Sequence, residues 1–243
     1  MMKKILSSLF LISVSLIGTA QFKNIRPSVT GNIETTFQYL TTDTTISAIA
    51  PEQVGVLNSY ANINYTLGSF KAGMRFESYL PAINGYPAFY SGSGIGYRYV
   101  EYATDNLSVT GGNFYEQFGS GMIFRSYEAR GIGLDNAMDG AKILFKPTPG
   151  IYVKGVFGRQ RYNFDNGKVN LSEGIVRGLD GEISVNELFD SLSDSKLKIN
   201  IGGSFVSKFQ SSNNDSLILP KNVASYGGRI DIRYDKFYLN AEY

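Results

Sequence analysis

The sequence has no cysteine, no histidine and no tryptophan among its 243 residues. Without cysteine or histidine, the chain cannot supply a thiol nucleophile, a histidine-assisted triad or the nitrogen and sulfur ligands of most transition-metal sites. The lack of cysteine also excludes disulfide bonds, so backbone pairing and packing must stabilise the fold. We therefore expect no enzyme active site, no cofactor and no metal ion in this chain.

Long uncharged apolar segments are also scarce. The apolar stretch at residues 5–17 follows two lysines and is followed by three small residues, Gly18, Thr19 and Ala20. It is shorter than the about 20 residues that a membrane-spanning helix needs, so residues 1–20 are predicted to be a secretory signal peptide cleaved before Gln21. Residues 21–243 are predicted to be the N-terminal part of a single domain, and any membrane attachment of this domain must come from its fold.

Charges are balanced in the predicted mature chain. Of the 23 basic residues, two lie in the predicted signal peptide, and the others equal the 21 acidic residues in number. Nucleic-acid binding needs a clustered basic face that contacts phosphates, and the sequence has none. Nucleic acid is therefore not an expected partner.

Apolar and polar residues alternate along most of the chain, which is the pattern of a β-strand with two different faces. Residues 29–39 begin this pattern, and residues 57–67 and 70–77 repeat it. Charged side chains recur on the polar face of successive strands. One face is therefore predicted to contact lipid or a core, and the other to contact water.

Eleven strands are predicted in this way. Many have about nine residues or more, the length that crosses a bilayer at a tilt, whereas strands of globular proteins usually have about 5 to 6. The eighth strand is the least regular, because Arg177 falls among its apolar positions. The predicted strands cover residues 29–39, 57–67, 70–79, 95–103, 107–115, 141–146, 151–159, 175–185, 196–209, 226–234 and 237–243.

The connectors between these strands alternate between short and long. Short connectors lie at 67–69, 104–106, 147–150 and 235–236, long ones at 41–56, 80–94, 116–140, 160–174 and 210–225, and an intermediate one at 186–195. Short periplasmic turns and long external loops are typical of outer-membrane barrels. The fold is therefore predicted to be all-β, an antiparallel up-and-down transmembrane β-barrel in contact with outer-membrane lipid.

The number of strands leads to a further expectation. Eleven strands that start in the periplasm end outside the cell, whereas bacterial single-chain barrels have even strand numbers. An open sheet would leave two unpaired edges in lipid. The sequence is therefore expected to be the N-terminal part of a longer barrel with 12 or more strands.

The segment of residues 112–140 mixes charges with aromatic residues and glycines and is too long for a simple hairpin. It either folds into the lumen and narrows it, where mixed charges act on solutes, or forms an external loop with solvated charges. Its apolar residues exceed what a solvated loop needs, and both arrangements stay open. The candidate lumen residues, including two from the third strand, are Glu116, Arg125, Glu128, Arg130, Asp135, Asp139, Arg75 and Glu77.

Further charged residues fall on strand positions that are predicted to face the lumen. In a water-filled pore they would determine selectivity, and in a filled interior they would pair across strands, which is the favoured interpretation for each single residue. These residues are Lys71, Lys142, Lys146, Lys154, Asp180, Glu182, Arg229, Asp231 and Arg233.

Residues 165–167, Asp-Asn-Gly, offer oxygen ligands within a long predicted connector. The spacing of these ligands does not match the EF-hand pattern for calcium. Asparagine and glycine are favoured in tight turns, so a turn is predicted here.

Two stretches of the sequence resemble a known family. Residues 112–140, GNFYEQFGSGMIFRSYEARGIGLDNAMDG, and residues 175–183, IVRGLDGEI, are similar to a family of uncharacterised outer-membrane proteins of Bacteroidota that is catalogued as a domain of unknown function. The resemblance covers the chain from about Gln21 to its end, and family members are longer. It implies an outer-membrane location and a barrel, but no activity and no catalytic residues.

Three hypotheses for function follow from the sequence. The leading one is a porin-like outer-membrane barrel that passes small solutes, with residues 112–140 shaping its lumen. The second is a non-conducting surface scaffold whose long external loops bind a partner protein, a glycan or a secretion component. The third is a soluble β-sandwich, which the apolar alternate positions Ile33, Ile63 and Met74 disfavour.

Overall fold

The computed structural model describes residues 26–211 and 220–243. The predicted signal peptide and its cleavage site lie outside the described residues, as does the middle of the predicted connector 210–225. Strands dominate the described part of the chain. The helical elements there are α1 (Val185–Leu188) and three short 3-10 turns at Thr44–Ile46, Arg130–Ile132 and Asp190–Leu192.

The strands are β1 (Ser28–Tyr39), β2 (Gly55–Leu67), β3 (Phe70–Tyr79), β4 (Gly92–Ala103), β5 (Leu107–Phe114), β6 (Glu116–Gln117), β7 (Arg125–Ser126), β8 (Glu128–Ala129), β9 (Leu134–Asp135), β10 (Met138–Thr148), β11 (Ile151–Asp165), β12 (Lys168–Ser184), β13 (Leu197–Phe209), β14 (Asn222–Tyr234) and β15 (Phe237–Glu242). The short strands β6 to β9 form two separate hairpins between β5 and β10. The other strands form one large sheet.

The large sheet has 11 strands, and each strand pairs antiparallel with its neighbour in the order of the sequence. Every strand predicted from the alternation pattern corresponds to one strand of this sheet. The predicted all-β, antiparallel up-and-down fold is therefore confirmed. Within the described residues, β1 and β15 form the two edges of the sheet and do not pair with each other.

The prediction of a loop at residues 160–174 is wrong, because strand structure continues through most of these residues. β11 runs to Asp165 and β12 begins at Lys168, with only Asn166 and Gly167 between them. Both turn residues have positive φ angles, 50° and 74°, a conformation that asparagine and glycine adopt readily. The predicted turn is therefore present, but it joins two long strands.

The sheet is strongly curved. Glu77 on β3 and Arg161 on β11 are hydrogen-bonded to each other, although β4, β5 and β10 lie between these strands in the sheet. A flat sheet would separate them by four strand spacings of about 4.8 Å each. The face that carries Glu77 and Arg161 is therefore concave.

The register defines the two faces, because directly opposite residues on neighbouring strands point to the same side. On the convex face, one row of opposite residues runs through Tyr65, Ala72, Val100, Gly111, Ala141 and Phe157. Large apolar side chains on this face are exposed, among them Ile33 at 78 % and Leu179 at 57 %. The concave face carries most of the charged residues of the strands.

The apolar core lies on the concave side. One buried cluster joins Phe114, Phe118, Phe124 and Met138 to Val156 and Val176 of the sheet. A second cluster joins Tyr60, Tyr79, Tyr90 and Phe164. These side chains fill the space that the curved sheet partly encloses.

Candidate lumen site

The segment between β5 and β10, residues 115–137, lies against the concave face, and we call it the inner segment. Phe118 is fully buried and packs with Phe124 in the cluster that includes Val156. A Cβ atom on Gly178 of β12 would lie 2.7 Å from the Phe118 ring, so the ring occupies the space that a side chain would fill. Of the two arrangements that the sequence left open, an inward fold and an external loop, the inner segment therefore has the inward fold.

The two hairpins of the inner segment reach opposite edges of the sheet. The β6–β7 hairpin meets the last strand, where the Ser120 N–H donates a 2.8 Å hydrogen bond to the Glu242 carboxylate. The β8–β9 hairpin meets the first strand, where Arg130 forms an ion pair with Glu34. The inner segment thus spans the concave face from β1 to β15.

A central network of charges forms where the inner segment meets the sheet, and its members are Arg75 and Glu77 on β3, Asp135 on β9 and Arg161 on β11. Arg161 donates from Nη1 to Glu77 Oε1 at 3.0 Å and from Nη2 to Oε2 at 2.8 Å. Arg75 Nε donates to Glu77 Oε1 at 2.8 Å. Asp135 Oδ2 accepts from both arginines, at 2.6 Å from Arg75 and 2.9 Å from Arg161.

The central network is shielded from solvent. The side chains of Glu77 and Arg161 are 0 % exposed, and those of Arg75 and Asp135 are 6 % and 7 % exposed. Burial of a charge is unfavourable unless the charge is paired and hydrogen-bonded, and here two guanidinium groups offset two carboxylates. One donor, Arg161 Nε, has no hydrogen-bond partner among the described residues.

Tyrosine hydroxyls complete the hydrogen bonding of the two buried carboxylates. Tyr79 donates to Glu77 Oε2 at 2.9 Å, and Tyr115 donates to Asp135 Oδ1 at 2.9 Å. Burial raises the pKa of Tyr115, and it raises the pKa of Tyr90, in the loop before β4, to about 12. Both phenols therefore stay protonated at neutral pH.

Glu128 and Arg130 extend the network towards β1. Glu128 accepts a 3.0 Å hydrogen bond from Arg75 Nη1 and a 2.9 Å bond from Arg130 Nε. The Arg130 guanidinium also lies 4.3 Å from the centre of the Tyr60 ring. Positive and negative groups therefore alternate from the centre of the concave face to its first strand.

Other charges of the concave face also pair across strands. Glu116 of the inner segment lies between Lys142 and Lys154, at 3.5 Å and 2.9 Å from their Nζ atoms. Further pairs join Arg229 to Asp180 at 2.6 Å, Arg229 to Glu182 at 2.9 Å and Lys71 to Glu101 at 3.6 Å. The Lys71 pair joins the neighbouring strands β3 and β4, the Arg229 pairs join β14 to β12 across β13, and the Glu116 pairs attach the inner segment to β10 and β11.

Most of the candidate lumen residues take part in these ion pairs, but two do not. Arg125 is exposed on β7, 4.1 Å from the centre of the Tyr127 ring. Asp139 lies opposite Arg159 in the register of β10 and β11, on the convex face. The lumen position predicted for Asp139 is wrong, because the side chains of β10 alternate and Met138, next to it, is buried in the concave core.

Arg161 lies at the centre of the network but was not among the residues predicted from the sequence. Arg161 falls within residues 160–174, which were predicted to be a loop, so no face could be assigned to it. The Asp-Asn-Gly turn at 165–167 carries the information that could have placed it. If this turn is taken as the tip of a hairpin, both strands extend to it and Arg161 becomes a strand residue.

The inner segment and the sheet bring together guanidinium, carboxylate and phenol groups. Among the described residues, no group of three or more histidine, cysteine, aspartate or glutamate side chains is arranged to hold a metal ion. In residues 26–211 and 220–243, no helix has the length and apolar character needed to cross a membrane.

Comparisons with known proteins identified one family and several similar solved structures. A family model described as "Family of unknown function (DUF6029)" matches residues 1–243, and no curated protein matches the chain. A BenF-like porin from Pseudomonas fluorescens Pf-5 is similar with a TM-score of 0.42 and 11% identity, over 91% of this chain and 67% of the porin. Pseudomonas aeruginosa OccK2 (OpdF), in complex with glucuronate, has a TM-score of 0.38 and 10% identity, over 90% of this chain and 64% of that one.

Proposed function

Since the chain belongs to the family of unknown function DUF6029, we propose a function from its own geometry: an outer-membrane β-barrel that admits small solutes through a lumen narrowed by the inner segment. The observation that carries this proposal is the position of the inner segment. It lies on the concave face and is bonded to the first and last strands through Arg130 and Ser120. A segment held in this way limits the width of any passage along the concave face.

The two faces of the sheet support a location in a membrane. The convex face exposes apolar side chains on every strand of the large sheet, whereas the concave face holds the polar network. Strands β1, β2 and β4 have 12 or 13 residues, and a strand needs about 9–11 to cross a bilayer at a tilt. Lipid on the convex side and a polar interior fit such a barrel.

Conductance of the full-length protein in planar lipid bilayers tests the proposal. The matched variant has the β6–β7 hairpin shortened, with residues 118–124 replaced by an Asn-Gly turn, so that the strands of the large sheet are unchanged. We expect ion-permeable steps from the wild type and larger steps from the shortened variant. Gly181→Leu, on the convex face of β12, serves as the control and should conduct like the wild type.

A second function, the non-conducting surface scaffold, is favoured by one observation. The side chains of Glu77 and Arg161 are 0 % exposed, so the interior is closed at the level of the central network. In a scaffold, the long external loops bind the partner. Inserted wild-type protein without conductance, together with steps from the shortened variant, would favour this second function over the first.

A further inference from the structure

Charged residues on the convex face are few, and they are clustered. Residues 160–174 form the tip of the β11–β12 hairpin. Elsewhere in the described strands, the register assigns charged side chains to convex positions only at Arg98, Asp139, Arg159 and Arg177. They lie on β4, β10, β11 and β12, within one stretch of the sheet order. We call these four residues the convex charge cluster.

The residues of the cluster are close together. Asp139 and Arg159 are direct register partners, and Arg177, opposite Phe157, is the diagonal neighbour of Arg159. Cβ atoms of opposite residues lie about 4.5–5.5 Å apart, and diagonal ones about 7–8 Å. Arg98 Nη2 lies 3.5 Å from Asp139 Oδ2, so Arg98 is paired within the cluster, and Arg159 and Arg177 are the two guanidinium groups close enough to contact one ligand.

The cluster is short of negative charge. Asp139 offsets one of the three arginines and is paired with Arg98. Arg159 and Arg177 are exposed, and neither forms an ion pair with a carboxylate of the described residues. Two positive charges therefore remain on a surface that is otherwise apolar, where an unpaired charge is unfavourable in contact with lipid.

The depth of the cluster in the membrane follows from strand geometry. Arg159 lies eight residues beyond Ile151, where β11 leaves a short turn, and this corresponds to about 26 Å along the strand. At a tilt of about 45°, the rise across the membrane is about 19 Å, and the apolar band of such barrels is about 25 Å tall. Arg159 therefore lies towards the outer-leaflet rim of the band, and the long side chain of Arg177 can extend to the same level.

We infer that the convex charge cluster binds the phosphate group of an outer-leaflet lipid, an inference that rests on the membrane location given under the proposed function. Guanidinium groups bind phosphate oxygens in pairs of charge-assisted hydrogen bonds. Apolar residues next to the cluster, Phe157 at 51 % exposure and Leu179 at 57 %, contact the acyl chains of the same lipid. The net charge of the cluster is opposite to that of a phosphate.

A second copy of the chain fits the cluster less well. Below the hairpin tip, the convex positions of the described strands offer one carboxylate, Asp139, and this carboxylate belongs to the cluster itself. The convex face of another copy would therefore present arginines to arginines. Charge complementarity therefore favours a lipid phosphate over a second copy of the chain as the ligand of the cluster.

The test uses the native full-length protein in phosphatidylcholine nanodiscs that contain either lipid A with its phosphates or dephosphorylated lipid A. Native mass spectrometry measures the lipid retained by the wild type and by the double variant Arg159→Gln/Arg177→Gln. The control is Arg233→Gln, an exposed arginine of the concave face, which loses one positive charge away from the cluster. We expect the wild type and the control to retain phosphorylated lipid A, and the double variant to bind it about tenfold more weakly, as expected for the loss of charge-assisted hydrogen bonds.

The outcomes separate this inference from the proposed function. If the wild type inserts into bilayers but retains the two forms of lipid A equally, the lipid-phosphate site is overturned, and the proposed membrane location of the barrel is unaffected. If the double variant keeps its lipid A but loses an oligomeric state that the wild type has, the cluster is a contact between copies and the lipid site is overturned. If the wild type does not insert at all, the membrane location is contradicted, and so is the lipid site that depends on it.

Discussion

At the scale of single residues, Glu77 is the position whose buried charge depends most on its hydrogen-bond partners. Its carboxylate is 0 % exposed and receives hydrogen bonds from Arg75, Arg161 and Tyr79. A buried ion pair gains little over an apolar pair of the same shape, but the loss of one partner leaves a charge without solvent and is strongly destabilising. The position is therefore intolerant of single substitutions rather than a large source of stability.

We predict that Glu77→Gln lowers the free energy of unfolding by about 3–5 kcal/mol, because Arg75 and Arg161 lose one of the two carboxylates that they share inside the protein. The matched control is Glu101→Gln on β4. Its partner Lys71 is 50 % exposed and lies 3.6 Å away, and an exposed pair contributes at most about 1 kcal/mol. Urea unfolding in lipid vesicles, followed by circular dichroism, measures both variants, and equal losses would contradict the prediction.

At the scale of elements, the inner segment is held by packing as well as by charge. Its Phe118 ring lies where a side chain on Gly178 would be, and its hairpins contact both edges of the sheet. Gly181 lies on the same strand but on the convex face, with no atom within 4 Å of an added Cβ. The inner segment therefore needs a glycine at position 178 of β12, but it does not need one at position 181 of the same strand.

We predict that Gly178→Leu displaces the β6–β7 hairpin and costs about 1–3 kcal/mol, because the added side chain overlaps the Phe118 ring. Gly181→Leu, the control, should change the free energy of unfolding by no more than about 0.5 kcal/mol. Cleavage by trypsin after Arg125 reports the hairpin directly and should be faster in Gly178→Leu alone. Similar cleavage rates in both variants would show that the hairpin is not held at Gly178.

At the scale of the whole molecule, the division into two faces determines what the protein can contact. Apolar side chains project from the convex face, and most charged side chains of the strands project from the concave face, because the register keeps each row of residues on one side. The same division predicts different environments for two strand positions, Ile143 on the convex face at 43 % exposure and Lys71 on the concave face.

Since the chain has no cysteine, single spin labels can be attached at Ile143→Cys and Lys71→Cys. In lipid vesicles, we expect the label at 143 to be accessible to oxygen and shielded from a water-soluble nickel complex, and the label at 71 to show the reverse. Oxygen concentrates in the apolar membrane, whereas the nickel complex stays in water. A label at 143 that is more accessible to nickel than to oxygen would contradict a lipid-facing convex surface.

The sequence by itself determined the strands of the large sheet, their order along the chain and the faces of most of their side chains. These properties are local: alternation with a period of two assigns the faces, and turn residues such as those at 166–167 mark where strands reverse. Even the irregular position of Arg177 was visible, and the structure places it on the convex face that its apolar neighbours indicated. Asp139 was misplaced and Arg161 was assigned no face, because both lie beyond the predicted end of a strand, where the alternation could not be followed.

The tertiary structure alone decided what meets across the concave face. Glu77 and Arg161 are 84 residues apart in the sequence, and Glu242 bonds to Ser120 over 122 residues. Such contacts depend on the curvature of the sheet and on the inward position of the inner segment, which no local pattern encodes. For this reason the sequence predicted charged residues that face an interior, whereas only the fold determined which charges pair with one another.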